Sequence, residues 1–251
     1  KNADGLTASA IAMINGYGNI VKIFNRAGSI PGTLGEAVVT SNIRLTERFI
    51  AYGSDINEKG ISGKTPLLLA FDNLDYDMAA FLISRGADIN ISDDNGITPF
   101  ISACSSNNID FVELAFTSGA DINAKDINGI TPLMYSLYNS NINIVKLLLK
   151  YKANVNVSDN NGTTPLTIAV RGKNIKAANL LIKNGAFVNQ KQNNVSRLLN
   201  IAVDMDNIDM VEFLLQSGAK INAKDTNGMT PLILASSKGY HSIVKLLLAW
   251  H

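Results

Sequence analysis

The chain has 251 residues, of which 46% are hydrophobic and 17% are charged, so it has ample apolar surface to bury and is not a disordered protein. Its formal net charge is +1, from 22 Lys and Arg against 21 Asp and Glu, which gives no reason to expect a nucleic-acid partner or an anionic membrane surface. The single cysteine, Cys104, excludes an internal disulfide, and no apolar run approaches the roughly 18 residues of a membrane span.

A recurring tripeptide organises the chain. Copies of Thr-Pro-Leu, or of a close variant, follow one another at a spacing of 33 residues, or of 66 where one copy has decayed. In chain order the copies begin at Thr65, Thr98, Thr131, Thr164 and Thr230, the decayed copy is Arg197-Leu198-Leu199, and Thr7 and Thr33 mark two degenerate copies near the start. This constant spacing predicts a tandem array of one structural repeat.

Other positions keep the same period. Glycine or a relative stands 21 residues after each threonine, asparagine stands four residues beyond that position, and aspartate usually precedes the threonine by five residues. The recurring asparagines are Asn57, Asn90, Asn123, Asn156, Asn189 and Asn222. We predict a single domain over 1–251 with about eight repeats, at 1–29 (shortened), 30–59, 60–92, 93–125, 126–158, 159–191, 192–224 and 225–251 (truncated).

The repeat that begins at Thr131 shows which elements we predict in each copy. The threonine hydroxyl caps a short helix, with Pro132 at the first helical position, where no N–H donor is needed. This helix is predicted to end at about Tyr138, and a second helix is predicted from about Asn143, with Ile144, Val145, Leu147 and Leu148 on its apolar stripe. The second helix should end at a left-handed residue, which glycine usually supplies. Here that residue is Lys152, so we expect about 1 kcal/mol of local strain.

The rest of the repeat, residues 153–162, alternates apolar and polar residues and ends in Asp159-Asn160-Asn161-Gly162, which predicts a hairpin-like turn. Neither helix is long enough to be stable alone in water, so each pair must bury its apolar stripe against neighbouring pairs, as in a solenoid. A small residue five positions after each threonine, or after Gly32 and Arg197 where these stand in the threonine's register, allows close helix approach. This position holds Ala12, Ala37, Ala70, Ala103, Ser136, Ala169, Ala202 and Ala235.

A repeat of 33 residues with Gly-x-Thr-Pro-Leu, then Leu-Leu, then Gly-Ala-x-x-Asn closely resembles the ankyrin repeat, and the resemblance covers essentially the whole chain. It implies an all-α fold with short β-hairpin-like turns, in which helix-turn-helix units form a curved stack. It also implies a module that binds a protein partner on a concave face, lined by the hairpin tips and the first helices.

The chain departs from the family pattern at the position directly after Thr-Pro-Leu. The family often has a histidine there, whose hydrogen bond ties adjacent repeats together. In this chain the position holds Leu68, Ile101, Met134, Thr167, Asn200 and Ile233. We therefore expect this hydrogen bond to be missing and apolar packing to replace it. In the repeat with the decayed tripeptide, Ser196 is a candidate cap in a shifted register.

The family geometry implies that residues four and seven positions after each threonine face the partner. Tyr135, Tyr138 and Arg171 are the first candidates from these positions, because tyrosine and arginine are enriched where interfaces gain most of their affinity. The interpretation of Tyr135 as partly buried core and of Tyr138 as an ordinary surface aromatic stays open. The other candidate partner-binding residues are Asp72, Ser105 and, at the hairpin tips, Asp94, Asn95, Ile127, Asn128, Asn160 and Asn161.

Candidate chemistry is sparse. Cys104 with His241 or His251 would form a nucleophile and a base, but they lie about four repeats apart in a fold whose repeats touch only their neighbours. The Asp-x-x-Gly tips lack the spacing and the late glutamate of a calcium-binding EF-hand, so turn formation explains them better. The recurring asparagines either bond backbone groups of the turn or, as in animal members of the family, undergo hydroxylation. We predict no catalytic residue, no metal and no cofactor.

The sequence leaves three functions open. The first is a non-catalytic interaction module or scaffold that holds an unidentified protein partner, without nucleic acid or membrane. The alternative is the regulatory or targeting region of a larger enzyme or secreted effector, whose catalytic domain lies outside this chain. The third is a spacer that associates end to end, although we expect a monomer in isolation. The lack of disulfides favours a cytoplasmic location, with a removed targeting segment as the other interpretation.

Overall fold

The computed structural model describes residues 33–189 and 197–250, together with Ala8, Ala12 and Ile20. Within these residues there are fourteen α-helices and no strand, so the prediction of an all-α fold is confirmed. The helices are α1 Leu34–Val39, α2 Ile43–Ala51, α3 Pro66–Asp72, α4 Tyr76–Ser84, α5 Pro99–Ser105, α6 Ile109–Thr117, α7 Pro132–Tyr138, α8 Ile142–Lys150, α9 Pro165–Arg171, α10 Ile175–Lys183, α11 Leu198–Asp204, α12 Ile208–Gln216, α13 Pro231–Lys238 and α14 His241–Ala249.

The helices form seven pairs, each a short first helix followed by a nine-residue second helix. Apart from Ala8, Ala12 and Ile20, the predicted first repeat lies outside the described residues, as does the candidate cap Ser196. The chain divides into two compact halves, residues 1–121 and 122–251. The finer repeat boundaries and the single domain remain predictions. No described helix has the length and apolar character that crossing a membrane requires.

The first helices begin as the sequence predicts. The Thr65 hydroxyl accepts the N–H of Leu68 at 3.2 Å, and Pro66 occupies the first turn, so one orphan donor is satisfied and one is removed. The same arrangement recurs at Thr98, Thr131, Thr164 and Thr230. Helix α11 differs because its cap residue, Arg197, makes no side-chain cap hydrogen bond.

The second helices have their own caps. In the Thr131 repeat, the Asn141 side chain accepts the N–H groups of Asn143 and Ile144, so α8 begins at Ile142, one residue before the predicted start. Its buried residues include Ile144, Val145 and Leu148 as predicted, but Leu149 is buried where Leu147 was expected, and Leu147 is only half-buried. The buried stripe of α8 is therefore rotated slightly about the helix axis from the predicted one, away from Leu147 and towards Leu149.

Each half has a well-packed core. In the first half the largest fully buried side chains include Phe71, Phe100 and Leu82, and in the second half they include Leu133 and Leu148. The predicted small positions are all buried, at 4% exposure or less; they are Ala12, Ala37, Ala70, Ala103, Ser136, Ala169, Ala202 and Ala235. The packing requirement inferred from the sequence is therefore confirmed.

The recurring asparagines join one repeat to the next within each half. The Oδ1 atom of Asn156 accepts the N–H of Phe187 at 3.0 Å, and its Nδ2 donates to the carbonyl of Gly185 at 2.9 Å. Asn57, Asn90, Asn123 and Asn189 likewise accept a backbone N–H 31 residues later. The prediction that these amides satisfy backbone groups is confirmed, but the groups belong to the following repeat rather than to the asparagine's own turn.

The aspartates of the hairpin tips form their turns. Asp126 Oδ1 accepts the N–H of Asn128 at 2.9 Å and the N–H of Ile130 at 2.7 Å. Asp93, Asp159 and Asp225 make the same pair of bonds. These carboxylates hold the chain in its turn, as the sequence predicts.

The position after Thr-Pro-Leu follows the prediction in only part of the array. Leu68, Ile101 and Met134 are fully buried and pack as expected. The prediction is wrong at Asn200, whose Nδ2 donates to the carbonyl of Met229 at 2.9 Å and so restores a hydrogen bond between repeats. Thr167 instead bonds the hydroxyl of Thr164 in its own repeat, whereas Ile233 is 49% exposed, so apolar packing does not replace the bond there.

The backbone at Lys152 allows a direct test of the expected strain. Lys152 has φ 66°, and Gly185 occupies the equivalent position one repeat later with φ 90°. We expect Lys152→Gly to raise the free energy of unfolding by about 0.5–1 kcal/mol, because glycine adopts positive φ without a Cβ clash. Urea unfolding followed by circular dichroism measures the change.

The matched control is Lys150→Gly, which makes the same substitution at the last residue of α8. A helical residue gains nothing from glycine there, so this variant should lose up to about 1 kcal/mol. If both variants lose stability to the same extent, the left-handed strain at Lys152 is refuted.

Candidate functional site

The two series of positions that were expected to face a partner differ in exposure. In the six repeats from Thr65 onward, the residues seven positions after the threonine, or after Arg197 in the decayed copy, are all exposed; they are Asp72, Ser105, Tyr138, Arg171, Asp204 and Ser237. The fourth residues are buried or half-buried; they are Leu69, Ser102, Tyr135, Ile168, Ile201 and Leu234. The accessible face of the first helices therefore consists of the seventh positions, with the fourth positions beneath them.

In the first half, the polar residues of this face are already bonded to their neighbours. The carboxylate of Asp72 accepts from Lys64 Nζ at 2.7 Å and from Ser102 Oγ at 2.7 Å. The hydrogen bond to Asp72 raises the pKa of Lys64, with burial acting against it. Ser105 donates its hydroxyl to the carbonyl of Ser102 at 2.9 Å. Asp72 and Ser105 thus have internal partners.

In the second half, two neighbouring repeats present side chains of a different kind. Tyr135 is half-buried and donates its hydroxyl to Asp126 Oδ2 at 2.9 Å, so its polar end is used within its own repeat. Tyr138 is 53% exposed. Partial desolvation raises the pKa of Tyr138, the charge of Asp159 adds to the rise, and the nearby charge of Arg171 opposes it. Neither Tyr138 nor Arg171 makes a hydrogen bond with another side chain in the described part of the chain.

The hairpin tips are bonded in pairs within each half. In the first half, the N–H of Asp94 donates to the carbonyl of Ser62 at 3.1 Å. In the second half, Asn160 donates its N–H to the carbonyl of Asn128 and its Nδ2 to the carbonyl of Ile127, both at 2.9 Å. The side chains of the predicted tip residues are exposed; they are Asp94, Asn95, Ile127, Asn128, Asn160 and Asn161. Ile127 is 59% exposed on this ordered backbone.

A cavity of about 590 Å³ lies in the second half, beside the seventh positions. Its walls include Arg171, Asn200, Asp204, Met205 and Asp225. Of these residues only Arg171 was a candidate from the sequence. Asp204 belongs to the seventh-position series and could have been found there, but the contribution of Asn200 was missed, because apolar packing was expected at its position.

The polar groups of this cavity are unequally satisfied. Asp204 forms an ion pair with Lys238 at 2.6 Å on the surface. Asp225 Oδ1 accepts two backbone N–H groups of its own turn. Asn200 is 1% exposed, and its Oδ1 has no hydrogen-bond partner among the described residues, although its Nδ2 bonds Met229. An unpaired buried acceptor costs about 1–3 kcal/mol.

Comparison with known proteins decides the family. Residues 34–126 and 116–192 match a family model described as ankyrin repeats in three copies, and residues 198–248 match one described as ankyrin repeats in many copies. The chain belongs to the ankyrin repeat family. This repeat is a protein–protein interaction fold, and the ankyrin resemblance read from Thr-Pro-Leu and Gly-Ala-x-x-Asn is confirmed.

Solved ankyrin repeat domains share the arrangement. The ankyrin repeat domain of Bcl-3, a member of the IkappaB family, is 27% identical and superposes with a TM-score of 0.76, covering 86% of this chain and 99% of its own. The ankyrin repeat domain of human ASB11 is 23% identical with a TM-score of 0.70, covering 88% of this chain and 98% of its own, which shows a shared fold. No individual curated protein matches the chain by sequence.

Of the candidate catalytic residues, the structure describes Cys104 and His241. Cys104 is fully buried in α5, in the core of the first half. His241 is exposed at the first position of α14 in the second half, and His251 lies outside the described residues. The sequence-based interpretation of Cys104 as a core residue is confirmed.

Proposed function

We propose that this ankyrin repeat chain is a non-catalytic interaction module, which binds a protein partner on the face that carries the seventh positions and the hairpin tips of its second half. The observation that carries the proposal is the pair Tyr138 and Arg171. Both side chains are exposed on consecutive first helices, and neither has a hydrogen-bond partner among the described residues. The equivalent residue Asp72 of the first half, in contrast, is bonded by Lys64 and Ser102.

The energetics favour this pair as the centre of an interface. Tyr138 presents a large ring with few rotatable bonds, so fixing it in a complex costs little conformational entropy. Helix α7 holds it rigidly, since the opposite side of that helix is buried. Arg171 supplies five N–H donors for acceptors of a partner. Exposed Ile127 adds apolar area at the tip, and burying it contributes to affinity without a polar desolvation cost.

The test is site-directed photo-crosslinking of the whole chain in a lysate of its source organism. Tyr138 is replaced by p-benzoylphenylalanine, and in a second protein Lys146 is replaced in the same way, since Lys146 is exposed on the second helix α8. We expect a discrete ultraviolet-dependent adduct from position 138 and none from position 146. Adducts from position 146 alone would place the partner on another face.

Alanine variants then measure the contribution of the ring. Tyr138→Ala should weaken capture of the crosslinked protein by about thirtyfold, equivalent to about 2 kcal/mol for a central aromatic. Lys146→Ala should leave capture unchanged, and both variants should keep the circular dichroism spectrum of the parent. Normal capture by Tyr138→Ala would refute the proposed face.

A further inference from the structure

The cavity in the second half has more hydrogen-bond acceptors than its own chain uses. Asp225 accepts two backbone N–H groups on its Oδ1, and its Oδ2 is the acceptor left unused among the described residues. Asp126, three repeats earlier, receives the Tyr135 hydroxyl on its Oδ2 at 2.9 Å. The residue equivalent to Tyr135 in the Asp225 repeat is Leu234, which lines the cavity and has no donor to offer. Within the described residues no group takes the place of that hydroxyl.

Two further acceptors lie in the same walls. Asn200 is 99% buried, lines the cavity and carries the unpartnered Oδ1. Among the described residues Asp204 forms an ion pair with Lys238 alone, and both side chains of that ion pair are well exposed. Exposed ion pairs contribute about 0–1 kcal/mol, so a competing cation can replace Lys238 at little cost. The carboxylates of Asp204 and Asp225 therefore favour a ligand that donates hydrogen bonds and carries positive charge.

The remaining wall residues favour a ligand that also has apolar surface. Met205, Met229, Ile201 and Leu234 supply apolar surface, and the flexible thioethers of methionine adapt to a flat or elongated group. An anionic ligand is disfavoured although Arg171 is one of the wall residues, because it would face the two carboxylates of Asp204 and Asp225. A lysine ammonium is a compact point charge, whereas a guanidinium offers five N–H donors in one plane and reaches separated acceptors.

We infer that this cavity is a subsite for an arginine side chain of the protein partner, with the guanidinium bonded to Asp204 and Asp225 and the aliphatic stem against Met205 and Met229. The inference rests on the proposed function, since it specifies which residue the partner places there. The residues proposed to bind the arginine are Asp204 and Asp225, whereas the proposed face is tested at Tyr138. The two experiments can therefore give opposite results.

The test uses the full chain labelled with ¹³C at the methionine methyl groups, of which the sequence has six. The probe is N-acetyl-arginine methylamide, and its neutral control is the citrulline analogue of the same shape. The arginine probe should shift the methyl signals of Met205 and Met229 saturably, and it should leave Met78 of the first-half core unchanged. The citrulline probe should cause at least fivefold smaller shifts at equal concentration.

Two variants assign the effect to the carboxylate. Asp204→Asn should weaken binding of the arginine probe by at least fivefold, because it removes one charge-assisted bond. Asp206→Asn removes an equal charge from an exposed residue two positions away, outside the cavity walls, and should leave binding unchanged. Equal shifts with citrulline, stronger binding of N-acetyl-glutamate methylamide, or no methyl shift at all would each overturn the inference.

The outcome is separable from that of the proposed function. If position 138 crosslinks a protein and the arginine probe leaves Met205 and Met229 unmoved, the interaction face stands and the arginine subsite is refuted. If the probe binds as described but position 138 gives no adduct, the cavity still binds an arginine side chain, but the proposed face around Tyr138 and the assignment of that arginine to a partner bound there are refuted.

Discussion

Replacing Phe71 by alanine is expected to lower the free energy of unfolding by about 3–5 kcal/mol. Phe71 is 1% exposed in α3, and its ring meets that of Phe111 edge to face, with centroids 4.9 Å apart. The substitution loses the transfer free energy of a phenyl ring, leaves a cavity, and breaks an aromatic pair that contributes a further amount of about 0.5–1.5 kcal/mol. Urea unfolding followed by far-ultraviolet circular dichroism measures the loss.

The matched control is Phe187→Ala, which truncates the same side chain at a position where the ring is 61% exposed. The inter-repeat bond at this residue comes from its backbone N–H to Asn156, and alanine keeps that donor. The control should therefore change stability by no more than about 0.5 kcal/mol. If the two variants lose equal stability, the core contacts of Phe71 are not what stabilises the first half.

Much of the fold could be predicted from the sequence because each repeat states the same local chemistry several times. Thr131 and Pro132 specify a helix start by capping and by a fixed φ, and the structure begins α7 there. A small residue at Ala70 or Ser136 is required wherever helices approach closely, and both are fully buried. A residue type that recurs at the same position of several repeats marks a structural requirement, whereas the same residue in a single copy could be there by chance.

The candidate site was less predictable, because it depends on what each side chain meets across repeats. Both Tyr135 and Tyr138 were candidates from the sequence, with partly buried core as the open alternative for Tyr135; Tyr135 is half-buried with its hydroxyl bonded to Asp126, whereas Tyr138 is exposed. Asn200 was expected to lie in apolar packing, and instead it bonds Met229, 29 residues later. Asn200 is polar and occupies the position where the family often has a bonding histidine, so its bond had a signal in the sequence, but spacing alone does not identify the acceptor, because every residue carries a backbone carbonyl.

At the hairpin tip of the first half, Gly63 has no room for a side chain. We expect Gly63→Ala to lower the free energy of unfolding by about 2–4 kcal/mol in total. About 1–2 kcal/mol comes from forcing an L-residue to adopt φ +70°. The rest comes from overpacking, because an added Cβ would lie 2.8 Å from the backbone nitrogen of Asp94. That nitrogen donates to Ser62, so the tip cannot move away without losing the bond that joins the two repeats.

A comparison with Gly228→Ala separates the two contributions. Gly228 has φ +77°, and a Cβ there meets nothing within 4 Å, so this variant should show the conformational cost alone, about 1–2 kcal/mol. Gly129→Ala, in the second half, should resemble Gly63→Ala, because its Cβ would lie 2.8 Å from Asn160 Oδ1 and 3.1 Å from Asn160 N. The urea midpoints of the three purified variants measure these losses of stability. Equal losses at Gly63, Gly129 and Gly228 would mean that backbone conformation, and not contact between successive tips, fixes glycine at this position.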